Sequence, residues 1–294
     1  MTIGSRGSAL ALWQARFIAT AFDRAGVATR IEIIKTTGDH LQTASLMQAG
    51  GKGLFTKEIE EALLAGAIDL AVHSLKDLPT ELPEGLAIAA IPERESPFDA
   101  IAGSRLNDLA AGARVGTSSG RRAAQLWRLR PDLAIEPIRG NVDTRLRKLK
   151  EGQYGAILLA EAGLRRLGLA AEIAEVFTPE QMCPAPGQGA LAIETRIGDP
   201  AYEACRALND EAASRAVRCE RAVLAALGGG CQLPVGAFAE ASGDRLRVMA
   251  VVIAADGSEY LRAEGSGSSP EDLGRTVAAE LLARGAGGIL AASK

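Results

Sequence analysis

His73-Ser74-Leu75-Lys76-Asp77 brings an imidazole, a hydroxyl, an ammonium and a carboxylate together in one short stretch. A second group is cationic: Thr117-Ser118-Ser119-Gly120-Arg121-Arg122, then Arg139-Gly140-Asn141 and Arg145. From Arg114 to Lys150 there are ten Arg and Lys against Asp132, Glu136 and Asp143, a local charge of +7 in a chain of net charge −3. A basic patch in an otherwise acidic chain points to a small anionic ligand rather than a nucleic-acid track. Aromatic residues, at 4%, are too few for a base-stacking platform. The third group is a thiol, Cys231, which follows Gly228-Gly229-Gly230 and so has no flanking side chains to shield its sulfur. Cys183, in a proline-rich turn, is its competitor, whereas Cys205 and Cys219 fall in helical patterns and read as packing residues. No Cys-x-x-Cys spacing occurs and the only histidines are His40 and His73, so no metal site is expected.

These groups need elements to hold them. Ile68 to Val72 reads as a buried strand that Pro79 cannot prolong, which puts His73–Asp77 at a strand's carboxyl end, where open α/β sheets bind ligands. Ser8 is the expected N-cap of a helix over residues 10–23, and Arg6 stands at that helix start. Residues 40–53, dense in glycine, are expected to be a mobile loop; Lys52 lies there, but the Gly-x-x-x-x-Gly-Lys-Ser/Thr pattern of a nucleotide-binding loop is missing. Arg121 and Arg122 open a helix that Pro131 stops. Two cations in a first turn oppose the helix dipole at roughly 0.3–1 kcal/mol each, a cost that a bound anion would reverse.

The segment Gly152–Ala160 repeats the pattern of Gly66–Val72: helix, glycine stop, buried strand. The recurrence predicts two similar α/β lobes, with crossings near Pro92–Pro97 and Cys183–Ala190. A helix from Glu211, two alternating strands, an Asp256-Gly257 turn, a further strand and a last helix predict a small α+β domain at the end. The expected division is residues 1–93 with 189–208, residues 94–188, and residues 209–294. No secretory leader pattern and no run approaching ~18 apolar residues is present, which predicts a cytoplasmic protein.

Taken in order, Arg6-Gly7-Ser8 with Leu10–Gln14, Gly51-Lys52-Gly53, His73–Asp77, Gly116–Ser119 with Arg121-Arg122, Arg139-Gly140-Asn141 with Thr144-Arg145, Gly187-Gln188-Gly189 and Gly229–Gln232 resemble the porphobilinogen deaminases, or hydroxymethylbilane synthases. The resemblance runs from about residue 3 to the end of the chain. It implies an α/β fold, with two lobes like those of type II periplasmic binding proteins and a small α+β C-terminal domain. The implied activity is a transferase of tetrapyrrole (heme and porphyrin) biosynthesis. It joins four porphobilinogens, with loss of ammonia, onto a dipyrromethane on Cys231 and releases 1-hydroxymethylbilane.

By the same resemblance Asp77 is the catalytic carboxylate. It holds the pyrrole N–H, stabilises the cation formed when ammonia leaves, and handles protons. Ser74, Lys76, Thr117, Ser118, Ser119, Arg121, Arg122, Arg139, Arg145 and Gln188 hold the cofactor, while Arg6, Ser8, Lys52, Arg139, Arg145 and Arg166 bind substrate carboxylates. A monomer with no nucleic-acid or membrane partner is implied. Gln48, Gly120 and Ala9 depart from the family pattern, where a lysine, a bulkier apolar residue and a proline are common. Two other readings remain open: a non-catalytic two-lobed binder of small anions, and an enzyme using Cys231 as a direct nucleophile.

Overall fold

The computed structural model describes residues 1–37, 56–229 and 233–292. The chain forms two compact units, one of Met1–Arg94 with Ala190–Ser214 and the other of Glu95–Gly189 with Arg215–Lys294.

The first unit opens with β1 (Thr2–Ser5), α1 (Ala9–Arg24), β2 (Arg30–Ile33), α2 (Lys57–Leu64), β3 (Leu70–Ser74) and β4 (Leu86–Ala90). The second contains β5 (Asp99–Gly103), β6 (Arg114–Gly116), α3 (Gly120–Leu129), β7 (Ala134–Glu136), α4 (Val142–Lys150), β8 (Ala156–Ala160), α5 (Glu161–Arg166) and β9 (Ile173–Val176). The chain returns with β10 (Leu191–Arg196), α6 (Pro200–Arg206) and α7 (Glu211–Ala226). It ends with β11 (Val235–Ser242), β12 (Arg245–Ile253), β13 (Tyr260–Gly267), α8 (Pro270–Ala283) and α9 (Ala286–Ala292).

The two large sheets have one plan. In the first, ordered β2-β1-β3-β10-β4, β1 runs parallel to β2 and β3, and β10 is inserted antiparallel between β3 and β4. In the second, ordered β7-β6-β8-β5-β9, β6 runs parallel to β7 and β8, and β5 is inserted antiparallel between β8 and β9. Each lobe therefore places its inserted, crossing strand at the same position in the sheet. The small third sheet, β11-β12-β13, is antiparallel and packs against α7, α8 and α9 over Val223, Val248, Ala250, Val277 and Leu281. The expected fold class, two α/β lobes with an α+β C-terminal part, is the one observed.

Why these segments form these elements is mostly a matter of two-sided burial. Leu70 and Val72 of β3 pack with Ile18 and Phe22 of α1, while Ala71 faces Ile59 and Leu63 of α2. A strand covered on both faces reads as a continuous apolar run. The repeated helix-glycine-strand pattern also has a direct structural cause. Gly66 and Gly152 take φ of +70° and +75°, and the residue after each closes onto the helix: Ala67 N–H donates to Ala62 O at 3.0 Å and Gln153 N–H to Lys148 O at 3.1 Å. Only glycine enters that left-handed region without a steric cost, so both helices end there.

β5, β9, α5, α6 and α9 have no counterpart in the sequence reading. β5 is the consequential omission. Its run Asp99-Ala100-Ile101-Ala102-Gly103 is alanine-rich and opens on a carboxylate, so neither β propensity nor alternation marks it.

Candidate active site

In the first unit β1 and β3 are parallel neighbours, with Ile3 opposite Leu70 and Gly4 opposite Ala71. Their carboxyl ends therefore emerge together. From β1 the chain continues through Arg6 to Ser8, whose side chain caps α1 by accepting the Ala11 N–H at 3.3 Å. From β3 it makes a single 3-10 turn, Leu75–Asp77. Leu75 and Leu78 are 0% and 1% exposed and anchor this turn, which leaves Lys76 half-buried and Asp77 exposed. Ser74 Oγ accepts a 2.8 Å hydrogen bond from Gln14 Nε2 of α1, and Leu75 N–H donates to Ala190 O at 3.0 Å.

The second unit repeats the arrangement. β6, β7 and β8 are parallel, so the loops after them gather at one edge of the sheet. Thr117, Ser118 and Ser119 follow β6. Ser119 caps α3 by accepting from Arg122 N–H at 3.4 Å, Ser118 Oγ donates to Ile138 O at 2.7 Å, and Thr117 Oγ1 accepts from Ser119 N–H at 3.2 Å. After β7 come Arg139 and the α4 cap, Asn141, which accepts from Thr144 N–H at 3.0 Å. Arg145 donates from Nε to Gly140 O at 2.8 Å, and burial together with the neighbouring Arg122 charge lowers its pKa to about 10. After β8, Arg166 of α5 is buried and donates from Nη2 to Gly189 O at 2.6 Å. Burial lowers its pKa to about 10 as well, against the opposing pull of Glu95.

Asp99 is the hub. Wholly buried, it accepts from Arg121 Nη1 at 2.7 Å and Nη2 at 3.2 Å, from Arg122 Nε at 2.7 Å, and from Gln188 Nε2 at 3.0 Å. Burial alone would raise the Asp99 carboxyl, but the Arg121 and Arg122 guanidiniums outweigh it and hold the group well below the usual carboxylate range. The start of α3 thus has an internal counter-charge that the sequence reading did not foresee. There the carboxylate of Asp99 supplies a negative charge that offsets the two first-turn arginines. Arg121 in particular is 5% exposed, with a further contact to Cys183 O at 2.6 Å, and it serves as a structural ion pair. Arg122 also reaches Gln188 Oε1 at 3.4 Å and lies beside Arg145.

Among the thiols, Cys183 is fully buried and burial pushes it far above the usual thiol range, so it is no rival as a reactive group. Cys205 and Cys219, both raised to about 12 chiefly by burial, are core residues. Cys231 and Lys52, like the loop expected over 40–53, lie outside the described residues. Among the described residues no His, Cys, Asp and Glu cluster is suited to a metal ion.

Residues 1–204 match the family model described as "Porphobilinogen deaminase, dipyromethane cofactor binding domain", and residues 214–283 match "Porphobilinogen deaminase, C-terminal domain". The chain belongs to the porphobilinogen deaminase family. Porphobilinogen deaminase of Pelobacter propionicus is 49% identical over 99% of this chain and 96% of its own length. That of Thiobacillus denitrificans is 50% identical, over 99% and 97%. A periplasmic substrate-binding protein of an ABC transporter from Coxiella burnetii covers 71% of this chain and 91% of its own, at 13% identity and a TM-score of 0.45.

Two residues of this family member gain their place only from the fold. Gln14, at the end of the Leu10–Gln14 motif, is the partner of Ser74. Asp99 left one trace in sequence, a carboxylate between Pro97-Phe98 and an apolar run. Removing one partner of a buried pair typically costs about 3–5 kcal/mol, so Asp99→Asn is expected to destabilise the second unit by about that amount at pH 7 in urea titrations. A carboxyl depressed in the folded state stabilises above its ordinary value of 3.8 and loses this as pH falls further. The gap between wild type and variant should therefore narrow below about pH 4.

Proposed function

We propose that the chain joins four porphobilinogens head to tail, with loss of ammonia, onto a dipyrromethane carried by Cys231, and releases 1-hydroxymethylbilane for tetrapyrrole biosynthesis. The reading rests on the family and on one physical observation. Arg145 is a half-buried guanidinium with a lowered pKa, set beside another guanidinium and with no carboxylate partner among the described residues. Such a cation is completed by an anion. Porphobilinogen and a dipyrromethane both bring acetate and propionate carboxylates, so the donor set of the second unit fits the group. When bound, the dipyrromethane supplies the growing end onto which pyrroles are added.

The positions of the residues support the following roles. Ser118, Ser119, Arg122, Arg139, Arg145 and Gln188 cluster around the strand ends of the second unit and would hold primer carboxylates, with Thr117 shaping their loop and Arg121 fixing Asp99. Arg166 adds a second desolvated cation for substrate carboxylates. In the first unit Arg6 and Ser8 stand at a helix start suited to the substrate's anionic groups, and Ser74 and Lys76 flank Asp77. Exposed on an anchored turn, Asp77 can accept a pyrrole N–H, offset the positive charge that develops as ammonia departs, and carry protons between elimination and coupling. Cys231 and Lys52 complete the set. The three-domain division, a monomeric state, a cytoplasmic location and the absence of nucleic-acid partners belong to the same proposal. Among the described residues no helix is long and apolar enough to cross a membrane.

Intact mass spectrometry tests the reading directly. Wild type should exceed its polypeptide mass by one dipyrromethane and gain mass in pyrrole steps with porphobilinogen, and Cys231→Ser should show neither; a bare wild type that stays inert to porphobilinogen would overturn it. Arg145→Gln should stay folded while KM for porphobilinogen rises about 10–100-fold, the worth of a charged hydrogen bond. For Asp77→Asn, unchanged urea stability with kcat reduced about 10²–10⁴-fold is expected in single-turnover and steady-state assays.

A further inference from the structure

On the face of the first sheet that packs against α2, an apolar layer of Ile59, Leu63, Ile68, Ala71 and Leu86 is interrupted by three titratable groups. They are Glu60 from α2, His73 from β3 and Glu194 from β10, at 8%, 7% and 0% exposure. His73 Nε2 lies 3.0 Å from Glu194 Oε2, an ion-pair contact rather than an aligned hydrogen bond. Neither Glu194 oxygen nor Glu60 Oε1 meets a hydrogen-bond donor among the described residues. The other charges nearby are engaged elsewhere. Arg196 binds Asp199 and the Leu63 and Ile68 carbonyls, Lys57 pairs with Glu61 on the outer side of α2, and Glu58 accepts from Thr37.

Two carboxylates and one imidazole cannot all be ionised without leaving a net buried negative charge. Burial and the Glu194 charge favour the protonated form of Glu60, against the pull of Thr56 and His73. With Glu60 set apart in this way, His73 and Glu194, 3.0 Å from each other, are the facing pair of the cluster. Apolar residues of similar volume would pack as stably in this layer, so the cluster calls for a role beyond stability. Its place supplies one. In the β3–β10 register His73 is opposite Ala192 and Ser74 opposite Leu191, and the next residue begins the turn that presents Lys76 and Asp77.

We propose that His73, Glu194 and Glu60 are positioning residues. Their charge balance fixes the carboxyl end of β3 against β10 and α2, and so sets where Lys76 and Asp77 stand. This rests on Asp77 being the catalytic carboxylate, as proposed above. Glu194→Gln keeps the shape and removes the carboxyl group that faces the imidazole. The expected result is at least a tenfold lower kcat, KM for porphobilinogen within about threefold, and an altered pH–rate profile. If that variant folds poorly, His73→Asn with Glu194→Gln removes both titratable groups and should restore folding with kcat still low.

A second readout needs no turnover. A carboxyl raised in the folded state loses its stabilisation as pH climbs above its ordinary value of 4.5, so the urea midpoint of Glu60→Gln should be flatter than wild type on the alkaline side. A folded Glu194→Gln with wild-type kcat and pH profile would overturn the positioning role. So would a rate loss that only tracks the folded fraction. An inactive wild type would instead bring down the functional reading, and the positioning role with it.

Discussion

Asp99 enters the second sheet at the first position of β5, wholly buried, and there meets two guanidiniums and a side-chain amide. Taking a carboxylate out of water costs several kcal/mol, and one good partner would barely offset that. Two arginines from the first turn of α3 and Gln188 together do. The result is more than neutralisation. Asp99 ties the crossing strand β5, the start of α3 and the segment before β10 to one point, and the loops expected to meet ligand are built outward from it. Arg122 belongs both to this buried network and to the neighbourhood of Arg145, so the same carboxylate orients part of the cationic surface.

The segment around Gln188 shows how little freedom this leaves. Gln188 Nε2 also donates to Pro97 O at 2.8 Å, and Arg166 bonds Gly189 O. A Cβ on Gly189 would stand 2.3 Å from Glu95 O, and its φ of +85° is already glycine territory. The outgoing and returning stretches of chain pass each other at backbone contact. Within the same unit, Gly187 N–H donates to Glu220 of α7 at 2.7 Å, and Ala239 N–H of β11 donates to the same carboxylate at 2.8 Å. The small antiparallel sheet is thereby fastened to the segment that carries Gln188.

Both lobes solve the same physical problem in the same way. Parallel strands end together, so their loops converge, and a serine N-cap starts the helix that follows β1 in one and β6 in the other: Ser8 for α1 and Ser119 for α3. Helix starts and convergent polar loops favour negative charge. The lobes differ in what they add. The first contributes an exposed carboxylate on an anchored turn, the second a set of partly desolvated arginines.

What the sequence determined by itself was local or periodic. Gly66 and Gly152 stop helices because φ must be positive there, buried strands read as apolar runs, and residues 114–150 carry a positive charge surplus. The ordered motifs named the family, since residue types in a fixed order along nearly the whole chain are far more specific than any one of them. What only the tertiary structure decided was pairing at long range. Whether Arg121 faces a ligand or the interior depends on Asp99, twenty-two residues earlier on a strand with weak signals of its own. The buried meeting of Glu60, His73 and Glu194 likewise brings together three elements distant in sequence. Charge pairing acts through space, so it becomes legible only once the strands and helices are in register.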